Sequence, residues 1–154
     1  MMFSRYHRQI ILPGVGEKGQ EKLRQAKVLV VGAGGLGTPV IQYLAGAGIR
    51  ELIIVDPDIV EMSNLQRQVL YSESDVGRPK AEVSANRARA INADCKVTAI
   101  NNLIGLANVR ELVGRADIII DGCDNHKARF LVHDACWFMK KSYVYGSILQ
   151  FHGQ

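Results

Sequence analysis

The chain has 154 residues, 47% of them hydrophobic and 22% charged, so it is long enough to bury a core and too apolar to be disordered. Its net charge of +4 comes from scattered Lys and Arg residues. This pattern fits a basic cleft for phosphate or a solvated face better than a nucleic-acid-binding tail. The three cysteines form no C-x-x-C pair and no secretion signal opens the chain, which predicts reduced thiols in a cytoplasmic protein.

The first predicted element is a charged surface helix over residues 16–26. An apolar run over residues 27–31 is predicted to be a strand, and a helix over residues 35–47 is predicted to end at Gly48. Residues 28–49 include no charge, so a membrane span is the alternative for this stretch. Its glycines and proline favour a buried strand followed by a buried helix.

A glycine-rich turn, Gly-Ala-Gly-Gly-Leu-Gly at residues 32–37, separates this strand from this helix, and Asp56 closes the next apolar run. The order of strand, G-x-G-x-x-G, helix, strand and acid is typical of a nucleotide-binding βαβ unit. We expect Gly32 to allow the tight turn, Gly34 and Gly35 to present N–H groups to phosphate, and Asp56 to bind the ribose hydroxyls. The alternatives are a turn without a ligand and a carboxylate that only caps its strand.

Helices and strands alternate along the rest of the chain. Helices are predicted over residues 80–91, 108–113 and 127–139, and strands over residues 96–100, 116–120 and 142–145. This alternation predicts an α/β fold with a Rossmann-like, doubly wound, largely parallel sheet and helices on both faces. Ligands bind outside the carboxyl ends of such strands, so we expect the functional side chains in the loops after the first, second and fourth strands.

The long polar segment after Asp56 distinguishes between nucleotides. It contains Asn64 and Arg67 and leads to Lys80, which together can neutralise the charge of a triphosphate. A dinucleotide needs mainly the glycine turn for its pyrophosphate. We therefore predict ATP as the cofactor, with a NAD-dependent oxidoreductase as the less favoured alternative and solvated surface charges as the alternative for Arg67 and Lys80.

Six segments together resemble the ThiF/MoeB/HesA family, the bacterial relatives of ubiquitin-activating enzymes. They occur in order over nearly the whole chain: RYHRQI at 5–10, GAGGLG at 32–37, D-x-D-x-V at 56–60, SNLQRQ at 63–68, VGRPK at 76–80 and DGCDN at 121–125. The Ser-Asn-Leu-Gln-Arg sequence at residues 63–67 is more similar to the activators of ubiquitin-like proteins than to the branch that dehydrates a modified tRNA adenosine.

The resemblance implies ATP-dependent adenylation of a carboxylate with release of pyrophosphate. The carboxylate is typically that of the C-terminal Gly-Gly of a ubiquitin-like (β-grasp) sulfur-carrier protein. By the same likeness, Gly35, Asn64, Arg67 and Lys80 bind the phosphates and Asp56 binds the ribose.

Three further roles follow from the resemblance. Asp124 would ligate Mg²⁺, with Asn125 beside the nucleotide, and Arg8 would reach into the partner subunit's site in a homodimer. Capping of the next helix is a compatible alternative for Asp124 and Asn125. Arg8 could instead pair with an acidic neighbour in its own chain. No nucleic-acid or membrane partner is expected.

The sequence departs from the family pattern at its end. Chains of this family continue further, often with a pair of C-x-x-C zinc motifs, so the zinc site of the family is not expected here. The chain stops at Gln154 within residues 148–154, which are predicted to be extended. We therefore expect residues 1–154 to be a nucleotide-binding adenylation domain truncated at its C-terminal end, and a non-catalytic scaffold of the same fold is the alternative to an active enzyme.

Overall fold

The computed structural model describes residues 2–154, with side chains from residue 5 onwards. Its strands are β1 (Lys27–Val31), β2 (Glu51–Val55), β3 (Lys96–Ile100), β4 (Ile118–Asp121) and β5 (Ser142–Tyr145). These form a parallel sheet in the order β3-β2-β1-β4-β5, which confirms the predicted Rossmann-like fold class. The strand order reverses between β1 and β4, and ligands of open α/β sheets bind at the carboxyl ends of strands at such a point.

Helices cover both faces of the sheet. They are α1 (Met2–Ile10), α2 (Gly16–Gln25), α3 (Gly37–Ala47), α4 (Lys80–Ile91), α5 (Val109–Gly114) and α6 (His126–Phe138). Gly48 ends α3 as predicted, with φ +90°. Two short 3-10 turns, Met62–Asn64 and Glu73–Asp75, shape the polar segment between β2 and α4.

The core has two layers, one on each face of the sheet. Val28 and Val30 of β1 pack in the layer that includes α3 and α4, whereas Leu29 and Val31 pack in the layer that includes α5 and α6. Burial on both faces explains why β1 is a continuous apolar run. The uncharged stretch at residues 28–49 is therefore a strand and a helix of the core, and within residues 2–154 no helix is long and apolar enough to cross a membrane.

The sequence analysis missed α1 and shifted one strand. Tyr6 of α1 is only 4% exposed, and the Gln9 side chain donates a hydrogen bond to the carbonyl of Ala47 at 3.2 Å. Most other residues of α1 are polar, so its apolar period is too short to recognise. β4 begins and ends later than predicted, because parallel pairing places Asp121 opposite Val31. The bounds predicted for α4, β3 and β5 are confirmed.

The last residues form a hairpin rather than the single extended segment predicted over residues 148–154. Its strands, β6 (Ile148–Leu149) and β7 (His152–Gly153), are antiparallel. The chain reverses at Gln150, which has φ +54°, and Ser147 and Gln154 exchange backbone hydrogen bonds of 2.9 Å. The prediction of extended backbone holds for these two short strands and fails at the turn between them, which the apolar residues of this segment do not reveal.

Candidate functional site

The turn between β1 and α3 is shaped by two close backbone approaches. Gly32 has φ +88°, and a Cβ atom on it would lie 3.0 Å from the backbone nitrogen of Cys123. A Cβ atom on Gly37 would overlap the carbonyl oxygen of Gly32. The fold itself therefore requires glycine at these two positions.

The glycines in the middle of the turn are not required by packing. A Cβ atom on Gly34 would lie 3.6 Å from Nε2 of Gln68, and one on Gly35 would lie 3.8 Å from the Arg67 side chain, both ordinary van der Waals distances. Helix α3 starts just beyond them without a side-chain cap. The turn thus combines open space with the N–H groups that a helix start leaves without intrahelical partners, which is the arrangement that binds phosphate.

Asp56 follows β2 and ties it to the glycine turn. Its side chain is buried, and Oδ2 accepts a hydrogen bond from the Ala33 N–H at 2.7 Å while Oδ1 accepts one from the Asp58 N–H at 2.8 Å. Burial raises the pKa of Asp56 above its ordinary value, and the two N–H donors and Lys80 act in the opposite direction. Asp56 therefore has the structural role that the sequence left open as an alternative, because its carboxylate binds the backbone N–H groups of Ala33 and Asp58. Each oxygen still keeps a second lone pair that can accept from a ribose hydroxyl.

Tyr71 holds the same turn from the other side and was missed by the sequence analysis. Its hydroxyl donates to the carbonyl of Ala33 at 2.6 Å and lies 2.9 Å from the hydroxyl oxygen of Ser84. Burial raises the pKa of Tyr71 well above its ordinary value, so the group stays a neutral donor. The N–H and the C=O of Ala33 are thus both fixed by side chains. An aromatic residue within a polar segment was the only signal in the sequence.

Lys80 opens α4 and is brought close to Asp56. It is 6% exposed, and its Nζ lies 3.0 Å from Oδ2 of Asp58. The Lys80 backbone N–H also donates to the Asp58 carbonyl at 2.9 Å. A buried ammonium needs a partner, and Asp58 supplies it. The alternative of a solvated surface charge is therefore wrong for Lys80.

Arg67 reaches the glycine turn from the segment after β2. Its guanidinium donates to the Ser63 carbonyl at 3.2 Å, and the rest of its side chain lies beside Gly35. Asn64 is 7% exposed, and its Oδ1 accepts from the Glu61 N–H at 3.2 Å. Asn64 therefore caps the 3-10 turn Met62–Asn64, which precedes Arg67, and the exposed Arg67 places positive charge next to the open turn.

The loop after β4 lies against the glycine turn, because Gly32 contacts the backbone of Cys123. The next residue, Asp124, is exposed, and its side chain has no hydrogen bond or ion pair within the described part of the chain. Oδ1 of Asn125 accepts from two N–H groups in the first turn of α6, at 2.9 and 3.2 Å. The predicted helix cap is therefore confirmed for Asn125, and Asp124 is left available for a ligand.

A free carboxylate at this place suits magnesium better than a metal that needs a cage of protein ligands. Among residues 2–154, no group of three or more His, Cys, Asp and Glu side chains is arranged to hold a metal ion. Mg²⁺ usually takes one or two carboxylates together with substrate phosphates. Asp124, with the glycine turn packed against its loop, fits an ion that arrives with a nucleotide.

Comparison with known proteins identifies this arrangement. The sequence profile of the ThiF family matches residues 6–154. The chain belongs to the ThiF family. The sulfur carrier protein adenylyltransferase of Thermus thermophilus is 49% identical to this ThiF-family chain over 150 residues, and the alignment covers 97% of the chain and 55% of that relative. The sulfur carrier protein ThiS adenylyltransferase of Escherichia coli is 41% identical over 152 residues, covering 99% of the chain and 61% of that relative.

A solved structure agrees with these sequence matches. The Escherichia coli tRNA N6-threonylcarbamoyladenosine dehydratase TcdA in complex with ATP superposes with a TM-score of 0.88 and 29% identity, over 96% of the chain and 62% of TcdA. The family resemblance read from the six segments is thereby confirmed. The ThiF-family chain spans about half the length of the curated relatives it matches.

A buried ion pair at the end of β4 was missed by the sequence analysis. Asp121 of this ThiF-family chain is fully buried, and its Oδ2 accepts from the Tyr143 hydroxyl at 2.7 Å and from Nε of Arg129 at 3.3 Å. Its Oδ1 accepts from the Cys123 N–H at 2.9 Å. Arg129 also donates to the carbonyls of Cys123 and Gly146. This cluster, which we call the Asp121 clamp, fixes the loop that carries Asp124.

Two buried polar atoms near the glycine turn have no hydrogen-bond partner among the described residues. They are Oγ1 of Thr38 and Oε1 of Gln68, and both residues are more than nine-tenths buried. Gln68 is also the nearest side chain to the space above Gly34. A buried acceptor without a hydrogen-bond partner destabilises the fold. The position of these two atoms near the glycine turn therefore fits a site in which a bound ligand supplies the missing hydrogen bonds.

Arg8 does not join the other predicted site residues within its own chain. It lies on α1 and is exposed. Its neighbours Tyr6 and Gln9 contact Gly48 and Ala47, at the end of α3 that is remote from the glycine turn. Because α3 begins at the glycine turn and ends at Ala47, α1 is held at the opposite edge of the sheet.

Proposed function

We propose that this chain provides the nucleotide-binding part of an enzyme that adenylates the C-terminal carboxylate of a ubiquitin-like sulfur-carrier protein with ATP. The observation that carries the proposal is the position of Arg67 beside the open glycine turn at Gly35, which puts a cation where a phosphate would bind. ATP bound to the related TcdA supports the nucleotide, and the relatives named sulfur carrier protein adenylyltransferases support the carrier substrate.

The proposed roles follow the positions of the side chains. Gly34 and Gly35 offer backbone N–H groups to the phosphates, and Asp56 accepts from the ribose. Arg67 neutralises phosphate charge from the solvent side. Lys80 has three N–H donors, so it can keep its ion pair with Asp58 and still donate to a phosphate oxygen. Asn64 and Asn125 act beside the nucleotide while they cap the local helical turns.

The proposed reaction needs little covalent chemistry from the protein. A carboxylate oxygen of the carrier attacks the α-phosphorus of ATP, a P–O bond forms, and the bond from the α-phosphorus to the bridging oxygen breaks. Pyrophosphate leaves with that electron pair, and the acyl-adenylate remains. The nucleophile is already ionised, so no general base is required, and positioning and charge neutralisation supply the rate. Asp124 would hold Mg²⁺, which contributes further neutralisation of phosphate charge when bound.

We propose that Arg8 acts across a homodimer. In its own chain, α1 lies at the edge of the sheet opposite to the glycine turn, so Arg8 cannot serve the turn of the same subunit without large rearrangement. In a two-fold dimer, the Arg8 of each subunit would lie at the site of the other subunit. The free cysteines Cys95, Cys123 and Cys136 fit a reducing compartment, so we propose the cytoplasm as the location.

The decisive test is ATP–pyrophosphate exchange in the presence of candidate sulfur-carrier proteins. We expect carrier-dependent exchange that Asp124→Asn abolishes. Asp134→Asn is the matched control, since Asp134 is an exposed carboxylate whose one partner among the described side chains is His133. Calorimetry with ATP and with NAD accompanies the assay. ATP binding without exchange by any carrier would favour the scaffold, and tighter binding of NAD than of ATP would favour the oxidoreductase.

A further inference from the structure

A cavity lies at the edge of the sheet where β2 and β3 begin, away from the glycine turn. Its volume is about 740 Å³. Arg5 of α1, Arg50 before β2 and Lys96 at the start of β3 contribute to its walls, and Arg24 of α2 contributes as well. Parallel strands place their amino ends at one edge and their carboxyl ends at the other, so this cavity is separate from the proposed ATP site.

The cavity has an excess of positive charge. Asp94 is the only acidic side chain among the described residues that line it, against four cations. Lys96 is partly neutralised by Glu51, whose Oε1 lies 3.6 Å from its Nζ. Arg50 is exposed and has no side-chain hydrogen bond or ion pair with any residue that the structure describes.

Arg24 and Arg5 contribute charge in different ways. Arg24 pairs with Glu21 through a 3.0 Å contact on the surface of α2. Arg5 donates from Nη1 to the carbonyl of Ile91 at 3.0 Å, which orients its guanidinium without neutralising it. The uncompensated charge is therefore concentrated at Arg5 and Arg50.

The floor of the cavity is tightly packed and hydrogen-bonded. Tyr6 is buried, and its hydroxyl accepts from Nδ2 of Asn92 at 2.9 Å. Asn92 also donates to the Ala45 carbonyl at 2.9 Å. A Cβ atom on Gly48 would lie 2.7 Å from the Tyr6 ring, so α1 is packed tightly against the end of α3.

The backbone that carries Arg50 is held from both sides. Its N–H donates to the Leu23 carbonyl at 3.3 Å, and its own carbonyl accepts from the Lys96 N–H at 2.9 Å. The backbone at Arg50 and Lys96 is thus held in place, so only side-chain freedom is lost when these two residues bind an anion.

We propose that this cavity binds a small phosphate-bearing ligand through Arg5, Arg50 and Lys96. Guanidinium groups match phosphate oxygens with paired N–H donors, whereas an isolated solvated charge gains little. Pockets for small ligands usually have volumes of about 300–1,000 Å³, and this cavity lies within that range. The site is independent of the adenylation proposed above.

The test is an NMR titration of the ¹⁵N-labelled chain with inorganic pyrophosphate, because backbone amides report the two sites separately. We expect saturable shifts of amides at residues 48–50 and 92–96, with half-saturation below about 1 mM at about 0.15 M ionic strength. Arg50→Gln is expected to weaken this binding about tenfold while leaving any shifts at the glycine turn unchanged. Arg110→Gln, an exposed arginine on α5, is the matched control and should change neither.

Three results would overturn the proposal. The first is shifts at the glycine turn without shifts at the cavity, and the second is equal behaviour of Arg50→Gln and Arg110→Gln. The third comes from a tetraglutamate peptide titrated in the same way. If this peptide binds the cavity as tightly as pyrophosphate does, the cavity recognises acidic protein segments rather than phosphate.

Discussion

Replacing Asp121 by Asn is expected to destabilise the chain strongly, because the substitution keeps the shape of the side chain and removes its charge. Asp121 is fully buried and takes hydrogen bonds from the Cys123 N–H, the Tyr143 hydroxyl and Arg129. The Arg129 side chain is only 15% exposed, so it would become a buried cation without an anionic partner.

The expected magnitude follows from what Arg129 retains. Removing one partner of a buried ion pair costs about 3–5 kcal/mol. Arg129 keeps the carbonyls of Cys123 and Gly146 as acceptors, which places the loss near the lower end, at about 3 kcal/mol. With a urea slope of about 2 kcal/mol/M, the unfolding midpoint should fall by about 1.5 M.

Urea unfolding followed by far-UV circular dichroism measures this loss. Glu111→Gln is the matched control, since Glu111 pairs with Arg115 at 3.9 Å on the surface of α5, and its loss should stay within about 1 kcal/mol. A double-mutant cycle with Arg129→Met isolates the coupling between the two clamp residues. A loss from Asp121→Asn no larger than that of the control would show that the Asp121 clamp does not hold the fold together.

Three further predictions concern the site. Gly35→Ala should leave the free energy of unfolding within about 1 kcal/mol of the wild type, because the nearest atoms to the new Cβ atom belong to Arg67 at 3.8 Å. The same Cβ atom would occupy part of the open space at the turn, so ATP binding in calorimetry should weaken. Gly37→Ala, whose Cβ atom would overlap a backbone oxygen, should instead lose at least about 3 kcal/mol, and equal effects of the two substitutions would contradict this distinction. Burial raises the folded-state pKa of Asp56, so the wild type should lose stability relative to Asp56→Asn as pH rises from the unfolded-state pKa near 4 through the folded-state value. Urea midpoints of both proteins across that range check the sign, and a relative gain for the wild type would reverse it. Arg8→Ala and Asp124→Ala should each abolish carrier-dependent ATP–pyrophosphate exchange. When the two variants are mixed and their subunits redistribute freely across a two-fold interface, about a quarter of the sites should become active again. No recovery under demonstrated subunit exchange would place Arg8 in its own subunit's site.

The sequence by itself determined the fold class and the location of the nucleotide turn. Both are encoded locally, since a strand buried on two faces is a continuous apolar run and a left-handed turn needs glycine, as at Gly32. Helix α4 was predictable over residues 80–91 because it begins directly after a proline and has a core-facing period that includes Val83 and Ala88. Helix α1 was not, because its stability comes from Tyr6 packing against Gly48, a contact distant in sequence.

Only the tertiary structure decided what the site residues contact. Asp56 and Tyr71 lie 23 and 38 residues from Ala33 in the sequence, yet both bind its backbone. The Asp121 clamp likewise joins β4, α6 and β5, and no spacing of residue types in the sequence predicts it. A buried polar group must be hydrogen-bonded, and its partner can lie on any element that the fold brings next to it. The pairing therefore depends on the tertiary structure and not on residue spacing. That dependence is the physical reason why the sequence located the glycine turn while the structure revealed what holds it.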